Sequence, residues 1–290
     1  MQIEDAWILR TLMENTIDGI YVKDLQCRIW RVSRKLADSL GYLDLHDIYG
    51  KTDIDLFGEE FGRKTMLDDL EVMESGIPKT GVIDKYIKPN GEYNWTSSTK
   101  LPLRNDLGEI IGLLGISREI NEIKNAEQEY QWLATHDPLT SLPNRYLLMD
   151  RIEQATSLAN RNGDSFALLF IDINEFKKIN DLQGHIQGDK YLIYMSDLLV
   201  KNLRSSDTVA RFGGDEFVVL LNEMHDHAAA RIVADKIKKM IYDQVDPINH
   251  SITASIGVSI YPKDGVEAGA LLKAADLSMY AAKQQNDTHN

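Results

Sequence analysis

The chain changes its rhythm of apolar and polar positions about halfway along. In its first part, apolar residues alternate over short stretches bounded by turn residues. Gly19-Ile20-Tyr21-Val22 and Arg28-Ile29-Trp30-Arg31-Val32 predict two strands around a turn, the second with one buried face. Tyr86-Ile87-Lys88 and Tyr93 to Thr99 flank Pro89-Asn90-Gly91, and Asn-Gly suits the positive φ of a tight hairpin. Thr99 to Leu103 and Ile110 to Ile116 flank Asn105-Asp106-Leu107-Gly108 as a further strand pair, and Glu59 to Ser75 reads as helical.

From Asn121 to Thr135 there is no Gly or Pro. Ile123, Ala126, Tyr130 and Leu133 recur at helical spacing there. Such a seam suits either a helix packed on its own domain or a dimerising lever between two domains.

The second part mixes longer elements. Phe166 to Ile171 is a continuous apolar run and Ile186 to Asn202 is helical. Thr208 to Phe212 and Glu216 to Leu221 form a hairpin around Gly213-Gly214. A helical Asp226 to Asp243, a β-rich Ile252 to Ile260 and a helical Val266 to Gln284 complete it. The interleaving predicts an α+β fold with helices against a single sheet.

At 290 residues, with 43% hydrophobic and 27% charged positions, the chain suits two soluble globular domains. A net charge of −13 argues against a nucleic-acid-binding role but is compatible with a nucleotide held alongside a divalent cation. The single cysteine, Cys27, excludes an intramolecular disulfide framework and fits a reducing compartment. No apolar run approaches the length of a membrane span and the start lacks a signal-peptide pattern, which together predict a cytoplasmic protein. The final residues follow a helical pattern abruptly, so a further C-terminal domain is expected beyond Asn290.

Asp172 stands where the buried run ends, and so at an exposed strand rim. Asp215 and Glu216 stand at the hairpin turn. If those strands are neighbours, the carboxylates converge as hard oxygen ligands suited to Mg2+ and phosphates. Alternatively, Gly213-Gly214-Asp215 is turn chemistry alone.

Several motifs in order decide between these readings. They are Asp137-Pro138-Leu139-Thr140-Ser141-Leu142-Pro143-Asn144-Arg145, Asp172 to Asp181, Gly184-His185, Gly188-Asp189 and Gly213-Gly214-Asp215-Glu216-Phe217. Together they closely resemble the GGDEF family of diguanylate cyclases over residues 135 to 285. Asp18-Gly19-Ile20 and Gly112 to Ile120 resemble a PAS sensor domain, with Glu119-Ile120-Asn121 where relatives often carry Asp-Ile-Thr. The implied organisation is a PAS domain over 1–120, a helical signalling linker over 121–135 and a GGDEF domain over 136–290. The GGDEF fold implied is a ferredoxin-like cyclase palm with helices on one mixed sheet.

The resemblance implies that two GTP become cyclic di-GMP, a second messenger, in a homodimer with one GTP per chain. It implies Mg2+, with Mn2+ as a substitute, on Asp172, Asp215, the Ile173 carbonyl and Glu216. Asp215 or Glu216 would accept the attacking hydroxyl's proton, and Lys177 would offset charge on the phosphates. Phe176, Asn180, His185, Asp189 and Lys283 would contact substrate, with Asn180 and Asp189 reading guanine. His185 is equally explained as structural. Arg204 and Asp207 match a product-inhibition site. Asn174 replaces an acidic residue of the family, and Asn286 and Asp287 stand where Gly and Arg are usual. The sequence identifies no PAS ligand. The rival function is a non-catalytic module that binds GTP or cyclic di-GMP to regulate a partner domain.

Overall fold

The computed structural model describes residues 4–287 apart from Pro89, His225 and residues 244–252, with side chains described to Gln284. The chain divides into two compact units at Gln128/Glu129. Among the described residues, no helix is long and apolar enough to cross a membrane.

The first unit contains α1 (Asp5–Asn15), β1 (Gly19–Lys23), β2 (Ile29–Val32), α2 (Arg34–Ser39), α3 (Asp53–Phe57), α4 (Glu59–Ser75), β3 (Lys79–Ile87), β4 (Tyr93–Arg104) and β5 (Ile110–Glu119). Its antiparallel sheet runs β2-β1-β5-β4-β3. The two strand segments read on either side of Thr99 are one continuous strand, β4, which turns into β3 at one end and β5 at the other. Strand β3 begins earlier than its apolar residues suggest, because Lys79 pairs with Lys100 across the ladder. The turn before β5 is built by Asn105, whose Oδ1 accepts from the amides of Leu107 and Glu109, both at 3.0 Å.

Beneath this sheet, Ile29, Val32, Val72, Met73 and Leu113 form an apolar core. A buried ionic set lies beside it. Lys23 Nζ is 2.6 Å from both Asp53 and Asp69, and Lys100 Nζ is 2.7 Å from Asp69. Burial alone would push the Lys23 ammonium down, but Asp53 and Asp69 outweigh it and raise its pKa. Buried charge persists only when paired in this way.

Helix α5 (Asn121–Thr135) buries none of its residues. Ile123, Tyr130 and Leu133 of its apolar seam stay exposed, so the alternative of a helix packed on its own domain is not what the chain adopts.

The second unit contains α6 (Arg145–Asn162), β6 (Phe166–Ile173), α7 (Phe176–Gln183), α8 (His185–Asn202), β7 (Thr208–Gly213), β8 (Glu216–Leu221), α9 (His227–Asp243), β9 (Ala254–Tyr261) and α10 (Ala268–Asp287). Its sheet runs β7-β8-β6-β9 and is antiparallel throughout rather than mixed. Every residue of β6 is buried, which explains its unbroken apolar run. Side chains on one face, including Leu169, Ile171 and Val219, join α7, α8 and α9. Those on the other, including Leu168, Phe170 and Val218, join α6 and α10. Alternation along each strand thus feeds two cores.

Close packing of α10 depends on Gly257 in β9. A Cβ there would stand 2.0 Å from the Ala275 carbonyl oxygen and 2.1 Å from the Met279 nitrogen. Bare backbone therefore lets α10 lie on the sheet and carry Lys283 toward the end of β6.

Candidate active site

Strands β6 and β8 are neighbours, and Asp172 pairs directly with Glu216 across the ladder. Directly opposed side chains share one face of a sheet, so two carboxylates are held side by side. Asp215 occupies the turn before β8, where its carbonyl accepts from the Ile173 amide at 3.3 Å. Gly214 supplies the turn's positive φ of 50°.

Asp172 is not at an exposed rim, as the end of the apolar run suggests. Strand β6 continues through Ile173, Asp172 is buried, and Lys283 from α10 reaches it with Nζ 2.5 Å from Oδ1. Burial raises the pKa of Asp215, and the Asp172 charge adds to this against Lys283 and Arg211. Burial likewise raises that of Glu216, helped by Asp172, Asp215 and Asp276 of α10. The site therefore concentrates negative charge that an ammonium only partly offsets.

Those carboxylates have the right chemistry for a hard divalent cation. Among the described residues, however, no three metal-binding side chains are gathered closely enough to hold one. The donors are adjacent rather than converged, and Lys283 lies beside Asp172.

The turn itself is tied down by Arg211. Its Nε and Nη2 donate to the Gly214 carbonyl at 3.0 and 2.8 Å, while Nη1 lies 3.0 Å from each Asp137 carboxylate oxygen. Thr140 donates to Asp137 through its amide and its hydroxyl, at 2.9 and 2.7 Å. These bonds together with Arg211 outweigh burial and lower the Asp137 pKa.

A second group forms where α7 meets α8. Phe176 and Asn180 lie one turn apart on α7, and Gly188 of α8 faces them. A Cβ on Gly188 would stand 2.0 Å from Asn180 Oδ1 and 3.2 Å from the Phe176 ring. Gly188 thus fixes how closely Asn180 approaches α8. His185 opens α8 after Gly184, whose φ is 83°, and His185, Asp189 and Lys177 are all exposed.

Asn174 is structural. Its Nδ2 donates to Thr253 Oγ1 and its Oδ1 accepts from Ser255 Oγ, both at 2.8 Å, which ties the end of β6 to β9. The side chains of Asn286 and Asp287 lie outside the described residues.

Arg204 and Asp207 lie before β7, at the opposite end of the hairpin from Asp215. Six residues of strand separate the two ends by about 20 Å. Asp207 accepts from the Arg204 amide at 3.1 Å and from the Asn222 amide at 3.3 Å, while Arg204 is exposed. Both residues line a cavity of about 300 Å³ with Lys201, Lys236 and Met240. Sequence reasoning missed Lys201 and Lys236, although Lys201 lies three residues before Arg204. It also missed Arg211 with Asp137 and Asp276, whose partners are remote in the chain.

Residues 134–289 match the family described as diguanylate cyclase, GGDEF domain, and residues 13–125 match the PAS fold. Two relatives come from Pseudomonas aeruginosa. The bifunctional diguanylate cyclase/cyclic di-GMP phosphodiesterase MucR is 45% identical over 56% of this chain, and the diguanylate cyclase TpbB is 41% identical over 56%. The chain spans only 24% and 38% of their respective lengths. The coiled coil and GGDEF domain of DgcB from Caulobacter crescentus, solved with c-di-GMP, superposes with a TM-score of 0.51. The match is 24% identical and covers 57% of this chain and 89% of that one, which bears on the fold alone. More than half of this chain matches the GGDEF model, in the same half that carries the paired Asp172 and Glu216, and the chain therefore belongs to the GGDEF family, with a PAS fold preceding its GGDEF domain.

Proposed function

We propose that this chain is a diguanylate cyclase that joins two GTP into one cyclic di-GMP and releases two pyrophosphates. The observation that carries this reading is the cross-strand pair Asp172 and Glu216 with Asp215 at the adjoining turn, all beside Lys283. In each half-reaction the 3′-hydroxyl of one GTP attacks the α-phosphorus of the other. A P–O bond forms, the bond to pyrophosphate breaks, and the hydroxyl proton passes to a base.

Asp215 and Glu216 are the candidate proton acceptors, since a raised pKa means a greater affinity for that proton. Asp172, Asp215 and Glu216, with the Ile173 carbonyl, would hold Mg2+ or Mn2+. A cation bound there would lower the hydroxyl's pKa and neutralise phosphate charge. Lys177 and Lys283 add positive charge at the phosphates. Loading the site requires Lys283 to exchange Asp172 for a phosphate oxygen. Asn180, seated against Gly188, and Asp189 read the guanine edge, Phe176 supports Asn180, and His185 opens the helix that carries Asp189.

One GTP per chain makes the active species a homodimer in which two such sites face each other, and the exposed seam of α5 supports that reading. The PAS domain regulates the cyclase, and cyclic di-GMP feeds back at Arg204 and Asp207, where a guanidinium and a carboxylate border one cavity. GTP as substrate implies a cytoplasmic site of action.

The test is incubation of the folded, dimeric chain with GTP and Mg2+, with cyclic di-GMP and pyrophosphate measured together. Two pyrophosphates per cyclic di-GMP are expected. GTP binding without product would overturn the reading in favour of a non-catalytic module.

A further inference from the structure

The outer face of the first unit's sheet carries an apolar surface that the cyclase chemistry does not use. Successive side chains on a strand alternate faces, so Ile20 and Val22 lie opposite Tyr21 and Lys23 of β1. Across the ladder Ile20 pairs with Ile116 and Val22 with Leu114, which gathers four branched side chains on that outer face. The inner face is filled by the Lys23, Asp53, Asp69 and Lys100 set and keeps a cavity of only about 60 Å³, below the range of ligand pockets. The outer face borders a cavity of about 550 Å³, well within that range.

Helix α1 forms the facing wall. Leu9 and Met13, one turn apart, line the cavity from α1, yet α1 buries none of its residues, so it stands over the sheet without closing on it. The rim is cationic. Arg10 of α1, Arg31 of β2 and Arg34 of α2 reach one cavity from three elements, against the single carboxylate of Glu14. Arg31 lies 5.7 Å from the Tyr49 ring, and Arg34 donates to the Leu43 carbonyl at 2.8 Å with Asp38 3.7 Å away. Among the described residues the Arg10 guanidinium has neither a hydrogen bond nor an ion pair, although Glu14 follows it by one turn. In a chain of net charge −13, this local excess of guanidinium is complementary to an anion, and its forked donors suit a carboxylate.

We propose that this cavity binds one alkyl carboxylate per chain, with the hydrocarbon between α1 and the outer sheet face and the carboxylate on the guanidiniums of Arg10, Arg31 and Arg34. Two apolar walls with a few charged groups at the edge suit an amphiphile rather than a polar metabolite. The 11 residues of α1 span about 16 Å, room for an extended chain of roughly ten carbons. A second copy of this chain fits less well, because a two-fold interface would set the same three arginines against themselves. Binding here does not depend on the cyclase reading above.

The experiment titrates the full chain with octanoate, decanoate and uncharged 1-octanol, below their micelle or solubility limits, by isothermal calorimetry, beside the variants Arg10→Gln and Leu9→Asp. Both positions are exposed, Leu9 at 58%, so the fold should survive, and circular dichroism verifies that it does. Decanoate should bind one per chain and about tenfold more tightly than octanoate, the effect of two more buried methylenes. Octanoate should in turn bind more tightly than 1-octanol. Arg10→Gln should weaken both carboxylates by about tenfold, the weight of one charge-assisted hydrogen bond, and leave 1-octanol unchanged. Leu9→Asp should abolish carboxylate binding. An absence of saturable binding, an affinity independent of chain length, tighter binding of 1-octanol, or decanoate binding that survives Leu9→Asp overturns the proposal. So does a chain that ignores free decanoate but sediments with anionic phospholipid vesicles, or one that ignores decanoate and whose dimer Leu9→Asp dissociates, since the face would then serve a membrane or a second copy.

Discussion

Arg211 and Asp137, 74 residues apart in sequence, meet in a two-oxygen contact at 3.0 Å while the same guanidinium holds the Gly214 carbonyl of the turn. Asp137 lies two residues beyond the end of α5. A residue just past the helix is thus bonded, through one side chain, to the turn that carries Asp215.

A lysine cannot reproduce a planar fork that spans two acceptors. Arg211→Lys is expected to keep the fold and to lose about tenfold to a hundredfold of turnover, because the turn no longer holds Asp215 in register with β6. Steady-state rates beside a circular dichroism spectrum check this. Wild-type turnover in the variant would mean that the Arg211 fork does not position the turn.

Gly257 governs a contact at a distance from itself. In Gly257→Ala the new methyl meets the backbone at Ala275 and Met279, and α10 must move outward. A loss of roughly 1–3 kcal/mol of stability is expected, as for an overpacked core. Turnover should fall with it, since Lys283 rides on the same helix. Thermal unfolding and cyclase assays on one preparation test both effects.

Much of the fold was legible locally. Two hairpins of the first unit, β3–β4 and β4–β5, follow from Asn-Gly and from Asn105 with Gly108, which build their own turns with side-chain and positive-φ geometry. Helix α6 was not read, although Asn144 caps it and Gly163 ends it, because two of its four buried positions are Ala155 and Ala159 and leave a weak apolar stripe. The acidic turn was legible from residue identity. The burial of Asp172 was not, because the residue that covers it, Lys283, lies 111 positions away. Pairings set by tertiary packing leave no local pattern, and the same holds for Arg211 with Asp137.

Gly188 gives a selectivity test. Gly188→Ala places a methyl where Asn180 Oδ1 now sits, so the amide must turn away from α8. If Asn180 reads guanine, the KM for GTP should rise by about tenfold or more, the weight of one polar contact in a discriminating pocket, with a smaller effect on kcat. Inosine triphosphate, which lacks the 2-amino group, should be less affected than GTP if the lost contact is to that group.

Arg204→Ala is expected to leave initial rates unchanged and to abolish the slowing of the reaction as cyclic di-GMP accumulates. Arg204 lies at the far end of the hairpin from Asp215, so its loss should not disturb the acidic turn. Full progress curves at several product concentrations distinguish relief of feedback from a change in catalysis. Persistent inhibition would remove Arg204 from the product site.

The acidic site also predicts a pH dependence of stability. Burial and neighbouring charge raise the pKa values of Asp215 and Glu216 above their ordinary 3.8 and 4.5. Between the ordinary and the raised values the folded chain holds more protons than the unfolded one, so stability falls as pH rises through that window. Below it both states are protonated and the penalty is absent, and above it the penalty is fully present. Asp215→Ala removes one of the interacting carboxylates. The variant should be as stable as the wild type or more so near neutral pH, with a smaller pH-dependent loss, while synthesis drops by about 10²–10³-fold, the scale of one lost electrostatic contact at a reacting centre. Chemical denaturation across acid to neutral pH, without divalent cation, measures the first effect and product formation the second. A variant that unfolds, or one that still makes cyclic di-GMP at the wild-type rate, would remove Asp215 from the centre of the site.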